Sequence, residues 1–546
     1  MASRIASFLR LAKAGFVLAQ HGVRFVPKGM KAPFALHLAR WATLPVRALT
    51  WPFRIGRAKE TRVARALGSL GPSYIKLGQF LATRADLIGP DLARDLAHLQ
   101  DRMPPFPIDE ARSAIESAFG RTTTQIYGSF GPAIAAASIA QVHKATVPTS
   151  DGAMRDVAVK VLRPGVERRF ARDLDSYRLA AGIIERWHPP ARRLKPLAVV
   201  ENLERTTELE MDLRLEAAAI SEMADNIKGD AQRAGAAGER YVFRVPAVDW
   251  QRTSQRVLTL DWIDGIAISD KARLAAEGHD LRALGQLVMR SFLRHAMRDG
   301  FFHADMHQGN LLVDHDNGLV AVDFGIMGRL GPAERRFLAE ILHGLITRDY
   351  RRAAQVHFDA GYVPAHHSVE VFAQAMRAIG EPIHGRTASE ISMADLLGQL
   401  FAYTDVFDME TRPELILLQK SMVIVEGVAR SLDPDLDMWT AAEPIAREWL
   451  EANLGLEGRL RDAEQGAETM GRVVAELPRV LETAERAATA FAGMARDGLR
   501  LDAATVEAMA TAEARKGRGW QAALWIGALS LSILAVSSLA AVWFGQ

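Results

Sequence analysis

The stretch His303-Ala304-Asp305-Met306-His307-Gln308-Gly309-Asn310, followed by Asp323-Phe324-Gly325, decides how this chain is read. Between its two parts, Leu311-Leu312-Val313 and Leu319-Val320-Ala321-Val322 flank Asp314-His315-Asp316-Asn317-Gly318, which predicts two short strands around a turn. His303, Asp305 and His307 taken alone suit a two-histidine, one-carboxylate iron site, because alternate residues of a strand share a face. That reading leaves Asn310 and the Asp-Phe-Gly triplet without a role. Phosphoryl transfer uses all of them. It asks a protein for a carboxylate beside the attacking hydroxyl and for oxygen ligands to the metal that bridges the phosphates. Asp305 has the place of the carboxylate, and Asn310 and Asp323 those of the metal ligands. Binding of Mg²⁺-ATP and action on its γ-phosphate are the expectation.

Upstream signals extend this reading. Val157-Ala158-Val159-Lys160 is a β-branched run ending in a lysine, as in strands whose lysine meets the α- and β-phosphates. A surface lysine on a strand is the plain alternative. Before it lies an alanine-rich run, Ala135-Ala136-Ala137-Ser138-Ile139-Ala140-Gln141-Val142-His143, where phosphate-cradling loops usually carry glycine. Alanine adopts positive φ less readily, so a stiffer loop with different phosphate contacts is expected. Read alone, such a run is more often helical. Glu210-Met211-Asp212-Leu213-Arg214-Leu215-Glu216 supplies carboxylates for the lysine. On a continuous helix Glu210 and Glu216 face directions about 120° apart, whereas Asp212 and Glu216 share a face. Leu70 to Gln79, with Lys76 and Gln79, reads by itself as an amphipathic helix.

The chain-wide features concern location. The 546 residues exceed one ordinary core, and the net charge of +2 argues against a nucleic-acid partner. Residues 1–59 nevertheless carry eleven Lys and Arg and no acid, which favours an anionic lipid surface and short interfacial helices. The absence of cysteine excludes disulfides, thiolate metal sites and cysteine nucleophiles. Arg10 and Lys13 interrupt any secretory apolar core; an Arg-rich, acid-poor start also fits a mitochondrial transit peptide. Trp520 to Phe544 is uncharged and long enough to span a bilayer, with Arg515, Lys516 and Arg518 before it. A buried helix and a tight hairpin are the other readings of this run.

Taken in order, the Lys76-Leu77-Gly78-Gln79 motif, the alanine-rich loop, Lys160, Glu210, Asp212, Glu216, Asp305, Asn310 and Asp323 resemble the UbiB family of atypical protein-kinase-like proteins, which support ubiquinone (coenzyme Q) biosynthesis. The resemblance implies an α+β fold, protein-kinase-like and bilobal, with an N-terminal helical extension and a C-terminal transmembrane helix. The expected units are a basic membrane-proximal segment at 1–60, a helical extension at 61–120, an N-lobe with a helical insertion at 121–265, a C-lobe at 266–453, a helical stalk at 454–515 and a single span at 520–544. It further implies that Lys160 pairs with Glu216 and the phosphates. Lys76 and Gln79 would fold over the centre, with Glu210 and Asp212 as partners. Asp261, Trp262 and Ile263 would form the adenine hinge, and Asp305 would act as base or position a water. His307 stands where protein kinases carry lysine, and no activation segment of the usual kind follows Gly325, so protein substrates are not implied. Implied partners are anionic lipids, prenylated ubiquinone precursors and ubiquinone-synthesis enzymes. The implied place is the bacterial inner membrane with the body cytoplasmic, or else the mitochondrial inner membrane.

Overall fold

In the computed structural model the described residues are 2–21, 62–82, 103–187, 195–237, 243–384 and 413–454, with scattered positions at 88–99, 192 and 403–409. The basic stretch beyond His21, nearly all of the expected stalk, and the expected span at 520–544 lie outside the described residues. Among the described residues no helix is long and apolar enough to cross a membrane.

The first half runs α1 (Ala2–Gln20), α2 (Arg62–Leu70), α3 (Pro72–Ala82), α4 (Ile108–Phe119), β1 (Ser129–Ala136), β2 (Ala140–Pro148), β3 (Met154–Leu162), α5 (Val166–Trp187), α6 (Pro196–Glu210) and α7 (Leu213–Ala237). The second runs β4 (Phe243–Arg244), β5 (Val257–Asp261), β6 (Ile266–Ala267), α8 (Leu281–Arg294), β7 (Phe301–His303), β8 (Leu311–Val313), β9 (Leu319–Ala321), β10 (Met327–Arg329), α9 (Pro332–Ile346), α10 (Tyr350–Asp359), α11 (Val369–His384), α12 (Pro413–Leu432) and α13 (Met438–Leu454).

Strands β1-β2-β3-β5 form one antiparallel sheet in that order. Its alternation is legible in the sequence. Val157, Val159, Val161 and Val257 all point to one face and pack with Ile115 of α4 and with Tyr127. Burying each valine contributes about 1.5 kcal/mol or more. The opposite face presents Ala140, Leu162, Leu258 and Leu260 to the main core, which they share with Ile220 and Met223 of α7 and Val288 and Phe292 of α8. The sheet is therefore apolar on both sides, and Lys160, on the core-side face, is the exception that marks a cleft.

A second cluster joins α2, α3, α5 and α6 through Leu67, Tyr74, Ile75, Leu174, Tyr177 and Leu203. Tyr74 meets Tyr177 edge-on at 5.3 Å. Burial, reinforced by Asp173, pushes the Tyr74 hydroxyl up to about 12. The expected boundary at 120 is thus misplaced. Helix α4 belongs with the sheet, and α5 and α6, expected as an insertion of the N-lobe, pack with the extension. The start of the chain also differs from expectation. Residues 2–20 form one helix, not several short ones, with Ala14 buried in the same cluster and Arg10 Nε donating to Ser176 Oγ of α5 at 2.9 Å.

The remaining helices pack around α8, which Asp280 caps by accepting the backbone N–H groups of Arg282 and Ala283 at 2.9 and 3.1 Å. After a wide last turn at His295–Asp299 the chain reverses at Gly300, φ 64°. A Cβ there would lie 2.3 Å from the Leu330 carbonyl oxygen, so only glycine lets the chain enter β7. Strand β7 pairs with β10, and β8 and β9 form the expected hairpin, turned by Asn317 at φ 61°.

His295 begins this wide turn fully buried, edge-on to Phe243 at 4.8 Å. Burial lowers its pKa from 6.5 to about 4. The folded state stays neutral while the unfolded chain takes a proton, so stability falls as pH drops from 6.5 towards 4, by at most about 1.4 kcal/mol per pH unit for this group. Urea unfolding at stepped pH is expected to show a shallower acid loss in His295→Phe than in the wild type; parallel pH profiles would refute the assignment.

Candidate active site

The site is assembled from three segments. Strand β3 carries Lys160, the first turn of α7 carries Glu216, and the loop after β9 carries Asp323. Lys160 Nζ donates to Glu216 Oε1 and Oε2 at 2.8 and 2.9 Å and to Asp323 Oδ1 at 3.3 Å. Glu216 Oε1 also accepts the Phe324 N–H at 3.4 Å, and Asp323 Oδ1 accepts the Gly325 N–H at 3.1 Å. One buried carboxylate therefore ties the N-lobe sheet to the Asp-Phe-Gly turn. Burial alone would lower the Lys160 pKa, but Asp323 and Glu216 hold it well above its ordinary value. For Asp323, burial opposes the charge, yet Lys160 and the Gly325 N–H keep the carboxyl well below the usual range. Its side chain remains 46% exposed, open towards solvent. Glu216 is pushed up by burial against the pull of Lys160.

The loop from His303 to Asn310 is held by its own side chains. His303 is buried, its ring 5.0 Å from Phe324, and its Nδ1 accepts the Asp305 N–H at 3.0 Å. Burial lowers its pKa. The strand stops at His303, so the alternation that would align His303, Asp305 and His307 as iron ligands does not continue. Nδ1 of His307 instead accepts the Gly309 N–H at 3.0 Å. Asn310 Nδ2 donates to the Asp305 carbonyl at 3.0 Å, which turns the amide oxygen to the other side. An amide oxygen and a carboxylate are the hard donors that Mg²⁺ takes, so these residues fit the metal that such folds bind.

Several expected contacts are corrected. Glu210 and Glu216 do not share a helix, because Met211 and Asp212 break the chain between α6 and α7. Glu210 pairs with Lys76 of α3 at 2.6 Å, the contact that the resemblance implied, each side chain 12% exposed. Asp212 binds neither Lys76 nor Gln79. Its carboxylate accepts from Arg214 at 2.9 and 2.6 Å, which lowers its pKa. Gln79 lies one turn beyond Lys76 on α3, partly buried. The alanine-rich run is a strand, a turn and a strand, neither a loop throughout nor a helix. Ala135 and Ala136 end β1, Ala137, Ser138 and Ile139 turn, and Ala140 begins β2.

Register then divides the nucleotide-binding expectation. Val142 sits opposite Lys160 and shares its face, while Gln141 and His143 sit opposite Val161 and Val159 and face away. Gln141 and His143 are therefore withdrawn as direct ligands. They brace the turn from outside. The Gln141 amide accepts the Phe106 N–H at 2.9 Å and donates to the Phe106 carbonyl at 3.2 Å. His143 Nδ1 lies 2.9 Å from the Gly131 carbonyl. Arg163 donates twice to the Ala137 carbonyl, and the Met103 N–H to Ala136 O. At the hinge, Trp262 spends its N–H on Asp156 O and its indole on Asp264, and Asp261 pairs with Arg155. Trp262 is thus a brace as well, and Ile263 follows it in the connection to β6.

Two contributors were not foreseen. Ser421, buried in α12, donates to the Ala304 carbonyl at 3.0 Å, and Gln308 Nε2 donates to Ser431 Oγ at 2.9 Å. The only sequence signal was a serine inside an apolar helix.

Lys160→Met leaves Glu216 buried without its cation. We expect a stability loss of about 3 kcal/mol in urea unfolding at pH 7, with Lys160→Met/Glu216→Gln recovering more than half. The single variant's loss shrinks at lower pH, since a carboxyl of raised pKa favours the folded state when protonated. A double variant no more stable than the single one would contradict this.

Known proteins resemble this chain along most of its length. The ABC1 atypical kinase-like domain matches residues 98–357, and the UbiB helical domain matches residues 376–437. The chain is similar to a probable protein kinase UbiB of Marinobacter nauticus, 37% identical over 452 residues, 82% of this chain and 79% of that one. It is 36% identical over 483 residues to that of Xanthomonas campestris pv. campestris, covering 87% and 82% of the two chains. A solved Mycobacterium tuberculosis protein in complex with erythromycin aligns over 75% of this chain and 98% of its own at 23% identity, with a TM-score of 0.46. The chain is a member of the UbiB family, with that family's atypical kinase-like domain and helical domain.

Proposed function

We propose that the chain binds Mg²⁺-ATP in the cleft beside Lys160 and acts as a membrane-associated ATPase or atypical kinase that supports ubiquinone biosynthesis. The observation that carries this reading is the joined set of Lys160, Glu216 and Asp323, within 3.3 Å of one another through the lysine, next to Asp305 and Asn310. In it Lys160 orients the α- and β-phosphates, Asn310 and Asp323 hold the metal, and Asp305 takes the proton of the acceptor or positions a water. Bound Mg²⁺ would neutralise charge on the phosphates. The turn residues Ala135 to Ala140 and Val142, with Ile263, would enclose the nucleotide, while Asp261 and Trp262 fix the hinge.

The membrane part of the proposal rests on charge and exposure. The outward face of α1 carries Phe8, Leu9 and Phe16, 61, 63 and 45% exposed, beside exposed Lys13. Apolar rings next to a cation suit the surface of an anionic bilayer. The basic N-terminal stretch and the apolar run 520–544 further support a body on the cytoplasmic side of a bacterial inner membrane. ATP turnover there would mobilise prenylated precursors or hand them to the synthesis enzymes. Purified protein with anionic vesicles is expected to hydrolyse ATP faster than with neutral ones, and Asp323→Asn to lose that turnover. Equal turnover in both proteins would sink the enzymatic reading.

A second reading, a nucleotide-gated scaffold, is favoured by the turn itself, whose Ala137 N–H is already spent on the Ala140 carbonyl at 2.8 Å and is not offered to a phosphate. Complementation of a ubiquinone-deficient strain separates the two. The enzyme requires Asp305, so Asp305→Asn should fail to restore ubiquinone; full restoration would favour the scaffold.

A further inference from the structure

Far along the chain from the nucleotide site, the turn between α10 and α11 and the segment preceding α12 bring together His366, His367 and Asp408. Asp408 Oδ2 lies 3.6 Å from His366 Nε2 and 3.4 Å from His367 Nε2. One ligand atom from each residue falls within 4.8 Å of the others. Bonds of ~2.1 Å at tetrahedral angles place neighbouring ligand atoms about 3.4 Å apart, so both measured separations match an edge of a metal tetrahedron.

The histidines are held in place. Their rings lie 4.1 Å apart at 39°, and the His367 ring stands on Phe407 at 5.4 Å. The His367 N–H donates to the Pro364 carbonyl at 3.1 Å. Nε2 of His367 is shielded from solvent and has no hydrogen-bond partner, although its ring is 21% exposed. A sheltered imidazole nitrogen aimed at a carboxylate oxygen, without a hydrogen bond to it, is arranged for a third body between them. Asp408 takes the left-handed conformation, φ 48°, which aspartate tolerates better than most residues. His366 and Asp408 are 65 and 69% exposed, leaving the outer side to water ligands.

We propose that His366, His367 and Asp408 bind a divalent transition cation, Zn²⁺ by its chemistry, that clips the turn after α10 to the segment before α12. Two imidazoles and a carboxylate suit this class of ion, whereas Mg²⁺ prefers an all-oxygen octahedron. The proposal is independent of the nucleotide reading. The histidines precede the UbiB helical domain at 376–437 and Asp408 lies within it, so the ion would fix the entry to that domain.

The test uses tag-free full-length protein in detergent, stripped by chelation and titrated calorimetrically with Zn²⁺ under excess Mg²⁺, which keeps Asn310 and Asp323 occupied. One equivalent of Zn²⁺ is expected, with Co²⁺ giving the visible bands of a low-coordinate site. His367→Ala and Asp408→Ala should each weaken binding by at least about tenfold. His366→Ala, at an exposed position, should weaken it likewise without altering the metal-free melting temperature. On unmutated protein, Zn²⁺ should protect His366 and His367 from diethylpyrocarbonate, read by mass spectrometry. Absence of Zn²⁺ binding, equal affinity in the variants, or unprotected histidines would reduce the cluster to an ion pair and overturn the proposal.

Discussion

The carboxylate of Glu216 fixes more of this molecule than any other group. It is buried, and an isolated buried carboxylate is too costly to keep charged. Lys160 from the sheet and the Phe324 N–H from the Asp-Phe-Gly turn both converge on it. Neither can move far without leaving that charge bare. The position of β3 over the catalytic loop and the path of the chain through Asp323 follow from this shared demand. Asp323 is left with a depressed pKa and an exposed flank, the state in which a carboxylate accepts a cation.

Around the loop from His303 to Asn310, buried side chains spend polar atoms on the backbone, the common fate of buried polar groups. His303, Asn310 and Ser421 each spend a polar atom on the backbone of Ala304 or Asp305. These bonds leave the Asn310 amide oxygen and the Asp305 carboxylate, the latter 3.7 Å from His307 Nε2, outside the backbone pairing. Chemistry is thus assigned by subtraction. The same accounting works against the iron reading, since His303 Nδ1 is consumed internally.

Local pattern made the strands legible. Val157-Ala158-Val159-Lys160 shows its two faces by alternation, and the turn at 314–318 names itself by Asn317 and Gly318. The motif residues in the catalytic loop were legible because spacing along one loop converts directly to position. Local pattern failed where a long-range choice decides, although the resemblance supplied two long-range pairs, Lys160 with Glu216 and Lys76 with Glu210. Helical periodicity runs through Glu210 to Glu216 without showing the break at Met211 and Asp212. An alanine-rich run carries no alternation of polarity, so its pairing as β1 and β2 could not be read. The inward and outward faces of β2 depend on register, which placed Gln141 and His143 behind the sheet. Helices α5 and α6 found their partners in α2 and α3, about a hundred residues or more upstream, and nothing local announces that choice.

The break between α6 and α7 gives the two lysine–carboxylate pairs separate mechanics. Lys76 holds Glu210 at the last residue of α6, and Lys160 holds Glu216 in the first turn of α7. A continuous helix would make the two pairs one lever, so that any shift of α3 would rotate Glu216 out of register with Lys160. Two helices joined at Met211 and Asp212 absorb part of that rotation in the joint, and Arg214 stiffens it by holding Asp212 through the backbone and the guanidinium at once. The extension therefore bears on the catalytic cluster through a joint, not a rod. Such a link can transmit the presence or absence of the Lys76–Glu210 pair while leaving Lys160 and Glu216 together.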